Sequence, residues 1–371
     1  MRIAILLLSL PLLAACAGNA LAPAGDAVNA ARAPAPMVVA HRGASAALPE
    51  HTLAAYARAI ADGADAIEPD LVSTRDGVLV SRHENEIGGT TDVARRPEFA
   101  GRKTRRRIDG RWVEGWFTED FTLAELKTLR ARERLPDLRP TAHDGLYEIP
   151  TLDEIIALAA EASAREGRSI ALVPELKHSS HFAAIGLPME STLLERLAAH
   201  PHTRSAPVIV QSFETENLRQ LRQRIPRESN IRLLQLLGGP DDSPHDTVLA
   251  GRPLRYAQMM TPDGLRAIAA YADAIGPHWE LLQVRRTADG RHRSPLVDDA
   301  HAAGLQVIAY TYRPENRFLP RSHRDGAADA RNDAGSIRQM REHIEAGIDG
   351  LFSDDSALAR RAVDGDPPPQ R

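Results

Sequence analysis

Four short segments, far apart in the chain, carry side chains that could cleave a phosphate ester. They are His41-Arg42-Gly43, Glu68-Pro69-Asp70, His83 and Glu175-Leu176-Lys177. Each follows a short apolar run typical of a buried strand, so we expect them at the ends of neighbouring strands. Together they supply imidazole, carboxylate and cationic groups, the set needed for metal-assisted hydrolysis of a phosphate ester.

The acidic residues of these segments predict a metal site. Glu68 and Asp70 are at positions i and i+2, so in a strand both side chains leave the same face, about 6.6 Å apart. Adding Glu175 from another strand would raise the carboxyl pKa values by repulsion unless a cation joined the three groups. Oxygen ligands without cysteine indicate Ca²⁺ or Mg²⁺ rather than zinc. Helix capping or pairing with an arginine is the alternative for each acid.

Two histidines and two cations complete the candidate site. His41 and His83 could exchange protons near neutral pH, one as general base and the other as general acid. The sequence leaves open which plays which part, and with 14 histidines in the chain most must be structural. Arg42 and Lys177 would supply positive charge to the non-bridging oxygens of a phosphate.

Apolar and amphipathic segments alternate along most of the chain, which predicts a parallel α/β fold. Helical spacing covers residues 52–61, 151–164, 215–224 and 264–271. The nine candidate strands cover residues 37–40, 66–67, 78–80, 170–173, 208–210, 231–237, 272–275, 307–309 and 350–352. A closed α/β barrel needs eight strands, so one candidate is an extra strand or a hairpin arm.

Residues 84–149 interrupt this alternation with a long polar insertion. It contains a basic run at 102–107, an aromatic cluster at 112–117 and a helix-like segment at 122–132. A loop of this length is typical of a lid or a small subdomain, and its start directly after His83 predicts that it folds over the site. Nearby acids and a formal net charge of -4 favour a solvated loop, and no nucleic-acid partner is expected.

The chain begins with a predicted export signal. Arg2 precedes a short apolar run that ends in Leu13-Ala14-Ala15-Cys16, which resembles a bacterial lipobox with Cys16 as the acylated residue. That run is too short to span a bilayer, and an ordinary signal peptide is the alternative. The predicted organisation is a lipoprotein signal peptide at 1–16, a flexible tether at 17–36, the folded domain at 37–358 and a tail at 359–371.

This signal predicts a location. We expect the protein in the periplasm, anchored to the outer membrane by its lipid, or otherwise secreted. Membrane contact is expected only through that anchor, because the formal net charge and composition are those of a soluble globular enzyme.

Several motifs, in order and spacing, resemble the glycerophosphodiester phosphodiesterase family, and most closely its secreted, periplasmic branch. They are His41-Arg42-Gly43-Ala44-Ser45, Leu48-Pro49-Glu50-His51-Thr52-Leu53, Glu68-Pro69-Asp70-Leu71, His83, Pro174-Glu175-Leu176-Lys177, Gln211-Ser212-Phe213 and Gly347-Ile348-Asp349-Gly350-Leu351-Phe352-Ser353-Asp354. The resemblance implies a TIM-type (β/α)8 barrel over residues 37–358, with an insertion after the third motif. It also implies one divalent metal ion, Ca²⁺ or Mg²⁺.

The resemblance implies a reaction and a role for each matching residue. The reaction is hydrolysis of a small glycerophosphodiester to sn-glycerol 3-phosphate and an alcohol such as choline or ethanolamine. In it the glycerol 2-hydroxyl attacks phosphorus, and water then opens the cyclic phosphate. The implied catalytic residues are His41 and His83, and the implied metal ligands are Glu68, Asp70 and Glu175. The implied substrate-binding residues are Arg42 and Lys177 at the phosphate, Glu50 beside the site, and Gln211 and Tyr310 at the glycerol end.

Two residues depart from the family pattern. Glu84 follows the second histidine where the family usually has Asp, which puts the orientation of His83 in question. Pro69 replaces a residue that normally continues the strand, so we expect pairing to end near it.

Two other functions stay open at this point. A phospholipase D-like or phosphoinositide-cleaving enzyme would use a related barrel with paired histidines and would need an apolar entrance, which the aromatic cluster at 112–117 could supply. A non-catalytic lipoprotein that binds phosphodiesters would not require both histidines, and both are present.

Overall fold

The computed structural model describes residues 35–365 of the 371-residue chain. The predictions for Cys16, for the signal peptide and for nearly all of the tether lie outside the described residues. So does the end of the predicted tail, residues 366–371.

Fifteen strands lie in the described residues, and eight strand positions close into a parallel barrel. The strands are β1 Met37–His41, β2 Ala66–Glu68, β3 Asp70–Ser73, β4 Leu79–Ser81, β5 Thr104–Ile108, β6 Arg111–Gly115, β7 Ala171–Leu172, β8 Glu175–Leu176, β9 Val208–Ser212, β10 Ile231–Leu237, β11 Ala274–Pro277, β12 Arg285–Arg286, β13 His292–Arg293, β14 Gln306–Tyr312 and β15 Gly350–Ser353. Strands β2 and β3 form one barrel position interrupted at Pro69, and β7 and β8 form another.

Parallel pairing runs around the whole barrel. It passes from β1 through β2, β7, β9, β10, β11 and β14 to β15, which pairs back with β1. The predicted TIM-type barrel is therefore confirmed. Pairing is interrupted at Pro69, as expected, but it resumes at Asp70, which pairs with β8.

Twelve α-helices lie in the described residues. They are α1 Leu53–Ala61, α2 Leu123–Leu126, α3 Leu152–Glu166, α4 Ser179–Ala184, α5 Met189–Ala199, α6 Glu216–Arg224, α7 His245–Leu249, α8 Tyr256–Met259, α9 Pro262–Ala269, α10 Pro295–Ala302, α11 Asp333–Glu345 and α12 Ser356–Asp364. Helix α2 belongs to the insertion, and the others lie in the connections between barrel strands or after the last one. The predicted helix at 151–164 begins with a capping box, in which Thr151 and Glu154 satisfy each other's backbone N–H groups.

The apolar core has two parts because each strand buries both of its faces. Inside the barrel, small and medium side chains such as Val39, Ala171, Leu236 and Ile308 fill the interior. Between sheet and helices lies a larger core, to which the apolar faces of the helices contribute. Filling both sides makes the barrel a rigid support for residues at its carboxyl-terminal edge.

The surplus ninth candidate strand is the hairpin arm β4. It pairs antiparallel with β3, with Ser81 opposite Leu71. His83 thus does not follow a parallel barrel strand, as its apolar run suggested. The hairpin instead turns the chain back, and the Arg82 amide donates to the carbonyl of Asp70 at 3.0 Å.

The insertion after β4 differs from the expected loop. Strands β5 and β6 form a hairpin, and the helix expected over 122–132 is the short α2. Arg106, on the inner face of β5, pairs with Glu119 and Asp120, so part of the basic run is neutralised within the insertion. Its neighbours Arg105 and Arg107 are exposed.

The carboxyl-terminal end also differs from the prediction. Helix α12 includes residues 359–364, which were expected to belong to the tail. Ala359 and Ala362 of this helix are buried, and that apolar contact holds it on the barrel. Within the described residues, no helix is both long and apolar enough to cross a membrane.

Arg82 is a fully buried cation that ties the hairpin arm to its surroundings. Its guanidinium donates to the carbonyls of Ser81 at 2.6 Å, Glu50 at 2.8 Å, His51 at 2.8 Å and Thr90 at 3.3 Å. These bonds join the arm, the loop before α1 and the start of the insertion. They also offset the free-energy cost of removing the charged guanidinium from water.

We expect Arg82→Met to lower the free energy of unfolding by about 3 kcal/mol or more, because it leaves several buried carbonyls without donors. Denaturant unfolding followed by circular dichroism measures the change. The control is Arg58→Met on α1, whose side chain is 56% exposed and has one ion pair, with Asp62; it should stay within about 0.5 kcal/mol of wild type. Equal effects of the two substitutions would contradict this role for Arg82.

Candidate active site

Three buried carboxylates meet at the carboxyl-terminal edge of the barrel. Glu68 ends β2, Asp70 begins β3 and Glu175 begins β8. Asp70 and Glu175 are register partners on adjacent strands. One oxygen from each of the three groups lies within 4.8 Å of the others, a spacing that can hold one metal ion. The structure thus brings together the three acids expected to bind metal.

Each carboxylate has partners from the neighbouring strands. Glu68 accepts hydrogen bonds from the Arg42 amide at 2.8 Å and from Gln211 Nε2 at 3.1 Å. Lys177 Nζ lies 2.7 Å from Glu175 Oε1 and 3.3 Å from Asp70 Oδ1.

Asp70 has a second partner that sequence reasoning assigned no role. The Nε2 atom of buried His51 lies 2.8 Å from Asp70 Oδ2, and its Nδ1 lies 2.8 Å from the Tyr56 hydroxyl and 2.9 Å from the Ser81 hydroxyl. His51 therefore fixes the orientation of Asp70 through Oδ2, the oxygen opposite the one that faces Lys177. It lies in the family-like motif at 48–53, and its position there was the one feature of the sequence that could have indicated a role.

The electrostatics of the cluster differ between its members. Burial and the neighbouring carboxylates raise the pKa of Glu68 well above its usual value. Burial also raises the pKa of Glu175 to about 8, against the opposing effect of Lys177. Burial would raise the pKa of Asp70 too, but Lys177 and His51 hold it well below its usual range. The protein's own cations therefore compensate only part of the negative charge.

The donor set fits a hard divalent cation. It consists of carboxylate oxygens, the ligands that Ca²⁺ and Mg²⁺ prefer. Asp70 Oδ1 is buried and accepts no well-aligned hydrogen bond from any described residue. Two carboxylates with raised pKa values beside an oxygen whose neighbouring cation, Lys177, is shared with Glu175 form a site that a further cation would stabilise.

His41 lies next to this cluster and is held by a carboxylate. It ends β1 in register with Glu68 of β2. Its Nδ1 lies 2.6 Å from Asp354 Oδ1, after β15. Burial, with a further contribution from Arg42, lowers the pKa of His41 to about 4, although Asp354 opposes the shift.

The backbone after His41 turns sharply towards the carboxylates. Arg42 has φ 61° and Gly43 has φ 87°, both in the left-handed region. A Cβ on Gly43 would lie 2.7 Å from the backbone carbon of Ala55. Glycine is therefore required here by both conformation and close packing. The turn directs the Arg42 amide at Glu68.

His83 is held in a similar way by the residue that departs from the family pattern. Its Nδ1 forms a short hydrogen bond with Glu84 Oε1. Glu84 is in turn bound by the guanidinium of Arg134, with nitrogen–oxygen distances of 2.7 and 3.1 Å. Burial and the charges of Arg42 and Lys177 lower the pKa of His83 to about 3. The longer Glu84 side chain thus still orients the imidazole.

Glu50 joins Arg134 to the predicted phosphate-binding arginine. It lies 2.9 Å from Arg42 Nη1 and accepts two hydrogen bonds from Arg134, at 2.6 and 2.8 Å. A single guanidinium from the insertion therefore binds both Glu50 and Glu84, which are the carboxylate partners of Arg42 and His83.

A second arginine of the insertion, Arg139, supports His41. Its guanidinium binds Asp354 Oδ2 at 2.6 Å and Glu315 Oε1 at 2.7 Å. Asp354 lies in the quoted motif at 347–354, but nothing in the composition of the insertion marks Arg134 or Arg139 among its many arginines. Only the folded insertion identifies them.

The two residues expected at the glycerol end occupy different positions. Gln211 pairs in register with Glu175 and contacts Glu68, and its Oε1 is buried without a donor among the described residues. The Tyr310 hydroxyl donates to the carbonyl of Leu237 at 2.8 Å, and its ring packs edge-on against Phe213. The Tyr310 hydroxyl is therefore engaged by the backbone of β10, and its ring packs against the residue that follows β9.

The aromatic cluster at 112–117 does not form an apolar entrance. Trp112 is 63% exposed, but Phe117 is fully buried and Trp116 packs against the core. The Trp116 indole N–H donates to the carbonyl of Phe99 at 2.8 Å. Two of the three aromatic residues thus stabilise the insertion, which removes the feature that favoured a lipid-cleaving enzyme.

Comparisons with known proteins agree with this geometry. Residues 41–358 match the glycerophosphoryl diester phosphodiesterase family. The glycerophosphodiester phosphodiesterase GDPD6 of Arabidopsis thaliana is 34% identical over 333 residues, which cover 86% of this chain and 83% of the relative.

Two solved structures share the fold. One, from Silicibacter pomeroyi, has a TM-score of 0.60 at 22% identity and covers 89% of this chain and 94% of the other. The second is a phosphodiesterase from Oleispira antarctica, solved with the product sn-glycerol-3-phosphate; it has a TM-score of 0.57 at 20% identity, with 89% and 98% coverage.

We expect Arg134→Ala to lower kcat/KM for glycerophosphodiester hydrolysis by about 10- to 100-fold, the range typical of residues that orient reacting groups. Loss of the guanidinium releases Glu50 and Glu84, so both KM and kcat should change. Added guanidinium ion should restore part of the activity of this variant by occupying the vacated position.

The matched control for this prediction is Arg106→Ala. Arg106 is 29% exposed against 27% for Arg134, lies in the same insertion and also binds two carboxylates, Glu119 and Asp120, neither of which is a partner of His41 or His83. Equal losses in the two variants, with no rescue by guanidinium, would show that Arg134 acts only on stability.

Proposed function

The chain belongs to the glycerophosphodiester phosphodiesterase family, and we propose that it hydrolyses glycerophosphodiesters with one divalent cation and two histidines. The products are sn-glycerol 3-phosphate and an alcohol. The observation that carries the proposal is the meeting of three buried carboxylates with His41, whose Nδ1 is bound by a carboxylate. The product found in the Oleispira antarctica structure supports the same reaction class.

Glu68, Asp70 and Glu175 would hold the cation, Ca²⁺ or Mg²⁺. When bound, such an ion supplies Lewis-acid polarisation of the phosphoryl group. Arg42 and Lys177 already lie at the carboxylate cluster and add fixed positive charge for the non-bridging phosphate oxygens. Glu50 keeps the Arg42 guanidinium in place, because its carboxylate binds Nη1.

The two imidazoles share one arrangement that suits proton transfer. Nδ1 of His41 faces Asp354, and Nδ1 of His83 faces Glu84. A carboxylate at Nδ1 favours the tautomer with the proton on that nitrogen and leaves the Nε2 lone pair available. Nε2 is therefore the nitrogen that would exchange protons with substrate in each case.

The proposed reaction proceeds in two balanced steps. The glycerol 2-hydroxyl attacks phosphorus while one histidine accepts its proton, and the bond from phosphorus to the alcohol breaks as the other histidine donates a proton to the departing oxygen. Water then opens the cyclic phosphate with the two histidines in reversed protonation states, which returns both to their starting forms. Either assignment of base and acid satisfies this balance.

Removing the cation should abolish the activity and adding it back should restore it. The measurement is release of glycerol 3-phosphate from a panel of glycerophosphodiesters, with EDTA and then with excess Ca²⁺ or Mg²⁺. In the presence of metal, His41→Ala and His83→Ala should each lower kcat by about 10²- to 10⁴-fold. Activity that survives thorough chelation would contradict the metal assignment, and full activity of either variant would contradict the role of that histidine.

Metal binding can also be followed without turnover. A cation that binds only the folded chain at about 100 times its Kd stabilises it by about 2.7 kcal/mol, so the wild-type unfolding transition should shift on addition of the ion. Glu175→Gln should lose this shift. Glu119→Gln, a buried carboxylate of the insertion, should retain it.

We also propose that the mature protein is a periplasmic lipoprotein attached to the outer membrane through Cys16. The lipobox-like sequence and the absence of any other cysteine from the chain support this location. Cys16→Ala should move the protein from the detergent-extracted membrane fraction of a Gram-negative host to the soluble fraction of the cell envelope. An unchanged distribution would contradict the anchor.

A further inference from the structure

A large cavity adjoins the carboxylate cluster on the side of strands β8 to β10. Its volume is about 1180 Å³, and its lining includes Glu175, Lys177 and His83. The turn of the β5–β6 hairpin forms part of the opposite wall, where Asp109 contacts His178 at 2.6 Å. The cavity is thus continuous with the groups proposed to act on phosphate, and it is large enough for a substituent of the phosphodiester.

One buried carboxylate of this cavity has no counter-ion. Glu214 follows β9, is 6% exposed and lines the cavity. Among the residues that the structure describes, only Ser180 donates hydrogen bonds to its oxygens, from the amide at 3.1 Å and the hydroxyl at 3.0 Å. No Lys, Arg or His of the described residues lies within ion-pair distance of it. Burial, with Asp246 and Asp109 nearby, raises the pKa of Glu214 to about 7.

Three cations of the cavity wall are already paired with other acids, and the exposed Arg107 and Arg111 form no ion pair with Glu214. Lys177 binds Glu175, and His181 Nε2 lies 2.9 Å from Glu119. They leave the charge of Glu214 uncompensated. A cation entering the cavity would supply the missing partner.

Two aromatic rings stand beside Glu214 in the cavity lining. Phe213 and Tyr256 pack edge-to-face with ring centroids 6.3 Å apart, and the Tyr256 hydroxyl donates to the Phe213 carbonyl at 3.2 Å. Ring faces attract ammonium groups, including quaternary ones that cannot form a hydrogen bond. A carboxylate and aromatic rings together are suited to a positively charged, partly apolar group.

We propose that this cavity binds the alcohol portion of the substrate and that Glu214 makes the enzyme prefer a cationic alcohol, an amino or quaternary ammonium alcohol, over a neutral one. The inference rests on the proposed function and deepens it. Tyr310, expected at the glycerol end, is not among the residues that line the cavity, so we assign the cavity to the other substituent.

Substrate preference tests this inference. Wild type should hydrolyse glycerophosphocholine and glycerophosphoethanolamine with kcat/KM about tenfold higher than glycerophosphoglycerol. Glu214→Gln, which keeps an oxygen to accept from Ser180, should remove this preference mainly through a higher KM for the cationic substrates. Its kcat/KM for glycerophosphoglycerol should stay within about twofold of wild type. Asp241→Asn removes an exposed carboxylate of the same cavity and should retain the preference. It therefore controls for the loss of one negative charge from the cavity.

A binding measurement separates this inference from the proposed function and needs no variant. Choline should inhibit wild type at least about tenfold better than 3,3-dimethyl-1-butanol, its neutral isostere. Calorimetric titrations with the two alcohols should show the same order of affinity without turnover. Loss of activity on both substrate classes in Glu214→Gln, absence of a preference in wild type, or equal binding of the two alcohols would overturn the role of Glu214. Failure of wild type to release glycerol 3-phosphate from any diester would refute the proposed function instead, while the titration would still decide the cavity.

Discussion

Mutual repulsion among three buried carboxylates is the constraint on which the rest of the site depends. Glu68, Asp70 and Glu175 place one oxygen each within 4.8 Å of the others. At an effective dielectric of about 20, two unit charges about 5 Å apart repel by roughly 3 kcal/mol. Lys177 and the Arg42 amide offset part of this cost, and the raised pKa values of Glu68 and Glu175 show that the compensation is incomplete. The carboxylates stay close together because the strands that carry them are packed on their inner and outer faces. A bound cation would relieve the remaining repulsion.

The insertion packs over the site, as expected, and also supplies residues to it. Arg134 binds Glu50 and Glu84, and Arg139 binds Asp354 and Glu315. Three of these four carboxylates hold a residue expected to touch substrate, namely Arg42, His83 or His41. The barrel therefore supplies the reacting groups, and the insertion supplies the guanidinium groups that hold their partners. This division also explains how Glu84 can replace a shorter acid, because Arg134 binds the longer side chain where it contacts His83.

The hairpin arm β4 and the β5–β6 hairpin give the site its asymmetry. The arm returns the chain to the level of Asp70, so His83 approaches the carboxylates from the insertion side while His41 approaches from β1. The β5–β6 turn then closes over β8 to β10 and leaves a cavity next to the carboxylates. One edge of a symmetric barrel thereby acquires a cavity on one side of the carboxylates, the position that we propose for one substituent of an unsymmetrical diester.

The sequence alone determined a parallel α/β fold and the chemical class of its terminal polar residues, because apolar strand runs are local patterns and a parallel fold places their ends at one edge. The closed barrel was implied by the resemblance of the motifs to a known family. The sequence could not identify the ninth strand as an antiparallel arm, since residues 78–80 are as apolar as a barrel strand and only pairing distinguishes them. It also could not choose Arg134 and Arg139 from the arginines of the insertion, or mark Glu214 as lacking a counter-ion. Those properties depend on which side chains meet across more than 30 residues of sequence, and that is decided only when the barrel closes and the insertion packs against it.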